Sequence, residues 1–304
     1  MTFMSHHLLQ QEALTNIIER YTRTDGQHPS LIPTLSFTRI SKITDPAHGV
    51  YTTSLCVIAQ GEKEALLSNE RYTYNPNHYL IASVELPVIA QITKASSEKP
   101  YLALKLDFSA HEIIDCLREM ALTTQKSKTT KRGIYISQME QPLLDALLRL
   151  VYLLETPADI SVLAPLIKKE IIYRLLQSEH REQLIQIGIE GSTTQQVAQV
   201  IQYITKNYEK NIPIKQLTAI AQMSPATLYR HFNQVTTMSP IQFQKELRLQ
   251  TARRLLISEP LNASDVAFRV GYESPSQFSR EYSRMFGRSP KEDVKFFEEK
   301  LTLR

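Results

Sequence analysis

The chain has 304 residues, 42% of them hydrophobic and 22% charged, with a formal net charge of +4. This is ordinary globular composition over a length sufficient for two domains. No apolar run approaches a membrane-spanning helix, and the start, Met1 to His7, lacks the basic and apolar regions of a secretory signal. The two cysteines, Cys56 and Cys116, suit a reducing cytoplasm and argue against a disulfide framework or a cysteine zinc site.

In chain order, Leu14, Ile17, Ile18 and Tyr21 recur at helical spacing and predict a helix over about residues 8–22. His6-His7 ahead of it reads as a flexible pair. Short β-rich segments follow: Leu35–Ile40, Val50–Gln60, Glu64–Leu67, Tyr72–Tyr74, Tyr79–Val84, Val88–Thr93 and Leu102–Asp107. Turn signals such as Asp45-Pro46 and Asn75-Pro76-Asn77 separate them, a pattern that suggests a sandwich or barrel. From about Ser109 the texture is helical, with Ile113, Ile114, Leu117 and Met120 on one face. Lys126–Arg132 reads as a polar, basic loop. Two apolar helical runs, Leu143–Leu154 and Leu163–Leu176, come next. Leu147, Leu150, Val151 and Leu154 are a candidate dimer face, with packing inside the monomer an equal alternative. Gly188 to Ser192 is the expected linker.

Charge changes at that point. Thr193 to Lys291 carries thirteen Lys/Arg against six Asp/Glu, net +7, whereas Met1 to Ser192 carries nineteen against twenty-one, net −2. A basic block attracts polyanions, although a solubilising surface has the same signature.

The basic part contains a repeat. Ser224-Pro225-Ala226-Thr227-Leu228-Tyr229-Arg230-His231-Phe232 returns fifty residues later as Ser274-Pro275-Ser276-Gln277-Phe278-Ser279-Arg280-Glu281-Tyr282. Each is followed by a second Ser-Pro, Ser239-Pro240 and Ser289-Pro290. Serine suits an N-cap and proline the first helical position, where a missing N–H costs nothing. Ser274 with Gln277 has capping-box spacing. Leu228 with Phe232, and Phe278 with Tyr282, fall on buried faces. A short helix precedes each: Ile214, Leu217, Ile220 and Ala221 in the first copy, and Val266, Ala267 and Val270 after a capping Asn262 in the second. Gly271 suits a positive-φ helix end. Short helix, tight turn and capped second helix make a helix-turn-helix. The breaker-free stretch from Ile241 to Ser258 predicts one continuous helix of about 27 Å between the copies. That approaches one DNA turn of about 34 Å, so both reading helices can enter successive major grooves.

Over about Thr193–Lys291 the chain resembles the AraC/XylS family of bacterial transcription regulators. The likeness is densest in Ala252-Arg253-Arg254-Leu255-Leu256 and from Val266 to Gly287. The resemblance implies two helix-turn-helix units on double-stranded DNA, usually to activate promoters, with RNA polymerase as a partner. By position it places Ala226, Tyr229 and Arg230 of the first unit, and Ser276, Ser279 and Arg280 of the second, at the major groove. Arginine can bond guanine bidentately, whereas Ser and Tyr are less selective. Arg253 or Arg254 is expected to touch phosphate. One departure is Gln222, where many members have Gly.

The earlier part resembles a subfamily of these regulators in Ser54–Gly61, Arg71-Tyr72, His78-Tyr79-Leu80, Glu85–Val88, Pro100–Leu104 and Leu163–Leu166. The implied fold class is α+β in two domains. Residues 1–187 form a cupin-like β-barrel with flanking helices, 188–192 a linker, and 193–304 an all-α tandem helix-turn-helix domain. The barrel is expected to bind a small-molecule effector, with Cys56 and His78 as candidate contacts, or to form a homodimer, or both. His28, His48, His78 and His111 form no His-x-His pair, and no phosphate loop or nucleophile elbow occurs. No metal, cofactor or catalytic residue is therefore expected. Two alternatives stay open: a cupin-type metal-binding protein or enzyme with a regulatory tail, and a regulator whose barrel binds a protein partner.

Overall fold

The computed structural model describes residues 2–120, 130–189 and 191–302. The expected basic loop therefore begins outside the described residues, as does Glu190 of the expected linker. The chain divides into two compact units, Met1–Ala198 with Gln234–Thr237, and Gln199–Asn233 with Met238–Arg304.

The first unit opens with α1 (Thr2–Tyr21), longer than its periodicity suggested. It takes in the histidine pair expected to be flexible, and His7 Nδ1 lies 3.2 Å from Gln141 Oε1. Ten strands follow: β1 (Gly26–Pro29), β2 (Leu35–Ile40), β3 (Ala47–Tyr51), β4 (Ser54–Gln60), β5 (Glu62–Leu67), β6 (Glu70–Tyr74), β7 (His78–Ala82), β8 (Leu86–Lys94), β9 (Tyr101–Asp107) and β10 (Ile134–Gln138). They form two antiparallel sheets, one ordered β1-β2-β9-β4-β7-β10 and the other β3-β8-β5-β6. The single run expected over Val50–Gln60 is thus two strands, and they belong to different sheets. β1 and β10 carried no recognisable signal of their own.

Strand alternation explains how the six-stranded sheet sits. Leu55, Val57 and Ala59 of β4, Tyr79 and Ile81 of β7, and Leu102, Leu104 and Leu106 of β9 share one face. That face belongs to one core with Leu14, Ile17 and Ile18 of α1 and with the helices that follow β9. Those helices are α2 (Ala110–Glu119), α3 (Gln141–Tyr152), α4 (Ile160–Leu175) and α5 (Arg181–Gly188). Ser109 and Glu112 close a reciprocal capping box at the start of α2. The opposite face of the sheet carries Cys56, Tyr101, Ala103 and Lys105.

The candidate dimer face is not a surface. Leu147, Leu150 and Val151 are 0% exposed and Leu154 is 4% exposed, all within the helix–sheet core. Each such side chain contributes about 1.5–3 kcal/mol by burial. Among the large apolar side chains that remain exposed, Val162, Leu163 and Leu166 lie together on α4. Among the described residues no single helix is long and apolar enough to cross a membrane.

The second unit is helical: α6 (Thr193–Lys206), α7 (Ile214–Ala221), α8 (Pro225–Thr236), α9 (Pro240–Ser258), α10 (Ala263–Arg269), α11 (Pro275–Phe286) and α12 (Pro290–Thr302), with the start of α6 and the end of α8 counted in the first unit. The Ser-Pro pairs start helices as expected. Thr227 N donates to Ser224 Oγ at 3.3 Å, and Gln277 N donates to Ser274 Oγ at 3.3 Å. Ser274 makes half a capping box, and the Gln277 side chain points along the helix, its Nε2 donating to Glu281 Oε1 at 3.3 Å. Full reciprocal boxes form at the second Ser-Pro of each copy, Ser239 with Gln242 before α9 and Ser289 with Glu292 before α12.

The two turns solve one geometric problem differently. Gly271 has φ +90°, and a Cβ there would stand 1.9 Å from the Glu209 carbonyl oxygen. Only glycine satisfies both the torsion and the approach. In the first turn Gln222 ends α7 in the left-handed region, at φ 52° and ψ 41°. A side chain in that conformation costs on the order of 1 kcal/mol. Gln222→Gly is therefore expected to stabilise the protein by about 0.5–1 kcal/mol, read as a higher urea midpoint; an unchanged or lower midpoint contradicts the strain.

Candidate nucleic-acid interface

On α8, Leu228 and Phe232 are fully buried, and Phe232 meets Phe243 of α9 edge-on with ring centres 5.5 Å apart. On α11, Phe278 and Tyr282 are fully buried, in an aromatic chain running from Tyr272 to Phe286. The residues between these anchors turn outward. Ala226 and Arg230 are exposed and Tyr229 is half-buried; Ser276 and Arg280 are exposed and Ser279 is half-buried. Each trio has i, i+3, i+4 spacing and so occupies one helix face. The structure thus brings each expected trio together. Arg230 also reaches His231, whose Nε2 lies 3.1 Å from the guanidinium.

Arg284 extends the second face. It is exposed and lies one turn beyond Arg280, giving a row of Ser276, Arg280 and Arg284. The i, i+4, i+8 spacing was visible in the sequence, although a basic residue in the last turn also complements the helix dipole.

The arginines of α9 have unlike tasks. Arg254 is exposed. Arg253 departs from its expected phosphate role, because its fork is engaged inside the unit. Its Nε donates to Asp293 Oδ2 at 2.7 Å and a terminal nitrogen to Oδ1 at 3.1 Å. The Asp293 side chain is 1% exposed and also accepts from Tyr282 Oη at 2.8 Å. The guanidinium lies 4.6 Å from the Phe286 ring centre and 5.2 Å from that of Phe297. Arg248 is also turned inward. Its Nε donates to the Tyr208 carbonyl at 2.6 Å and a terminal nitrogen to the Lys210 carbonyl at 2.9 Å. The α6–α7 connection is thereby fastened to α9.

The two effector candidates in the first unit part company. His78 begins β7, where its Nδ1 lies 3.1 Å from Asn75 Oδ1, and it is held by that turn. Cys56 faces the space between the sheets. Burial pushes its thiol up from the usual range, against the opposing pull of Lys63 and Ser54. The thiol is therefore held neutral.

A family model described as the AraC-type transcriptional regulator N-terminus matches residues 31–183, about half of the chain, and one described as a helix-turn-helix domain matches residues 217–295. The chain belongs to the AraC/XylS family of transcription regulators. Among curated AraC-family relatives, it is similar to the HTH-type transcriptional regulator CdhR of Pseudomonas aeruginosa, with 29% identity over 132 residues that cover 43% of this chain and 39% of CdhR. It is also similar to the raffinose operon transcriptional regulatory protein RafR of Pediococcus pentosaceus, with 26% identity covering 65% of this chain and 69% of that protein. For the first three curated relatives the match takes in 39%, 41% and 28% of their length, so the chain spans less than half of each. The AraC-family fold is shared with the crystal structure of ToxT from Vibrio cholerae O395, at TM-score 0.54 and 12% identity over 86% of this chain and 96% of that one.

Two outcomes follow from the side chains of α9. Arg253→Ala strands the buried Asp293 carboxylate and should lower stability by about 3–5 kcal/mol in urea denaturation. A loss below about 1 kcal/mol refutes an architectural role. Glu246 is pushed up to about 7 by burial, against the opposing influence of Lys245. The folded state therefore binds this proton more tightly than the unfolded chain. Its stabilisation is complete below about pH 4.5 and disappears as pH rises through about 7. Urea midpoints between about pH 5 and about pH 8 should fall more steeply for the native chain than for Glu246→Gln; parallel curves contradict the assignment.

Proposed function

We propose that the chain is a sequence-specific activator that reads double-stranded DNA through the outward faces of α8 and α11. The observation that carries this is the paired presentation of Ala226, Tyr229 and Arg230 and of Ser276, Ser279 and Arg280 on two capped helices joined by α9. Nineteen residues make α9 about 28 Å long, comparable with one turn of the duplex. Arg230 and Arg280 are the selective readers, bidentate toward guanine, and Arg254 neutralises phosphate. Tyr229 in one copy and Ser279 in the other make the two half-turns of the target unlike.

In this reading the unit made of two sheets and their helices is a non-enzymatic effector domain, and the protein works in the cytoplasm together with RNA polymerase. The exposed Val162, Leu163 and Leu166 of α4 give a homodimer its apolar contact. They take the place of the buried leucines of α3.

Selection of binding sites from random duplexes with the full chain tests the proposal. A single asymmetric motif per monomer is expected. On that motif Arg280→Ala should cost about 1–3 kcal/mol and relax one base position, and Arg254→Ala should flatten the salt dependence by about one unit. Recovery of no motif, or an Arg280→Ala protein with native affinity and preference, overturns it.

A further inference from the structure

The contact between Arg230 and His231 sets the two copies of the repeat apart. His231 follows Arg230 on α8, is 6% exposed, and brings its Nε2 to 3.1 Å from a terminal nitrogen of the guanidinium. An arginine carries N–H donors and no acceptor, so Nε2 is the acceptor of this bond. The imidazole is therefore neutral here, with its proton on Nδ1. One N–H of Arg230 is thus taken by a side chain that burial holds in place, while Arg230 itself stays exposed.

In the second copy the same place is taken by a group of opposite chemistry. Glu281 follows Arg280 on α11, and its carboxylate is spent on other partners. Its Oε2 accepts from Tyr272 Oη at 2.9 Å, its Oε1 accepts from Gln277 Nε2 at 3.3 Å, and Lys245 Nζ stands 3.9 Å away. Among the described residues no hydrogen bond or ion pair reaches Arg280. The two arginines are alike in sequence and unlike in support. A long side chain loses rotamer freedom when a target fixes it, and a guanidinium already placed has less to lose. A neutral acceptor places it without competing for its charge. A carboxylate in the same position would draw the guanidinium away from a base.

We propose that His231 is a positioning residue whose Nε2 orients the Arg230 guanidinium toward a guanine edge, so that the base under Arg230 is read more strictly than the base under Arg280. The donors left on Arg230 still suffice for a bidentate pair with guanine O6 and N7. His231 touches no base and acts through Arg230 alone. The proposal rests on reading α8 and α11 as the DNA-contacting helices, and it names what makes their selectivities unequal.

The experiment measures affinity and base preference of the full chain on its selected duplex, beside His231→Leu, His231→Gln and His231→Asn. The amide of glutamine reaches the place of Nε2, whereas that of asparagine reaches only the place of Nδ1. His231→Leu should weaken binding about two- to ten-fold, the cost of ordering one long side chain. It should relax the base read by Arg230 and leave the base read by Arg280 unchanged. His231→Gln should restore the selectivity, and His231→Asn should not. In the Arg230→Ala background the cost of His231→Leu should vanish, which a merely structural histidine would not produce. Circular dichroism identifies the variants that fold. A second measurement needs no change at His231: once Arg230→Ala and Arg280→Ala have assigned the two base positions, exchanging guanine for adenine should cost the unmutated chain at least about two-fold more under Arg230 than under Arg280. The proposal fails if folded His231→Leu keeps native affinity and preference, if the glutamine and asparagine variants behave alike, if the cost of His231→Leu persists without Arg230, or if the two guanines weigh equally. An unmutated chain that selects no motif sinks the DNA-reading proposal itself, whereas a motif that folded His231→Leu selects unchanged sinks this one alone.

Discussion

A mostly covered guanidinium and a fully buried carboxylate hold the second half of the helical unit together. Arg253 comes from the long connecting helix, Asp293 from the last helix, and Tyr282, on α11, donates to the same carboxylate. Two aromatic rings lie against the guanidinium. Three helices are therefore referred to one buried charge pair. Such a pair is expensive to bury and more expensive to break, so it tolerates few alternative arrangements. The direction in which α11 presents Ser276, Ser279 and Arg280 is a consequence of that constraint.

The connecting helix does the same work at other points along its length. Arg248 spends its donors on the carbonyls that follow α6, and Gln244 adds donations to Tyr208 and Lys210. Phe243 receives Phe232 from α8. Most side chains of α9 are thus committed to architecture, and Arg254 is left for solvent or a polyanion. In the first unit the division of labour runs by strand parity. One face of the six-stranded sheet supplies apolar bulk to the helices, and the other carries Cys56, Tyr101 and Lys105.

Much of this was legible in residue order. The apolar strand segments announced themselves by composition, and the Ser-Pro pairs by their capping chemistry. The aromatic anchors Phe232, Phe278 and Tyr282 were recognisable by their spacing. What escaped had physical reasons. β10 follows a polar stretch and gains its place by pairing with β7, some fifty residues earlier, which no local pattern encodes. Arg253 and Arg254 are neighbours on a helix that buries residues around much of its circumference, so periodicity could not say which one turns inward. Lys63 sits between two glutamates in a strand, where a charged run ordinarily marks a solvated face. Only its neighbours Tyr101 and Cys56, on the opposing sheet, show that the lysine points the other way. Leu147 and its neighbours have a spacing that serves a dimer seam and a monomer core equally well, and burial decided for the core.

The missing side chain at Gly271 has a consequence for how the two helix-turn-helix halves behave as one object. Its α-carbon lies under the Glu209 carbonyl, at the entrance to the first helix-turn-helix, and Arg248 grips that same carbonyl at 3.3 Å. The turn of the second half is therefore a bearing surface for the first. A bulkier residue there would push against its neighbour as well as spoil its own turn, so that a lesion in one half is felt as misalignment of both. The close backbone approach of the two helix-turn-helix halves thus leaves room at Gly271 for a hydrogen atom and nothing larger.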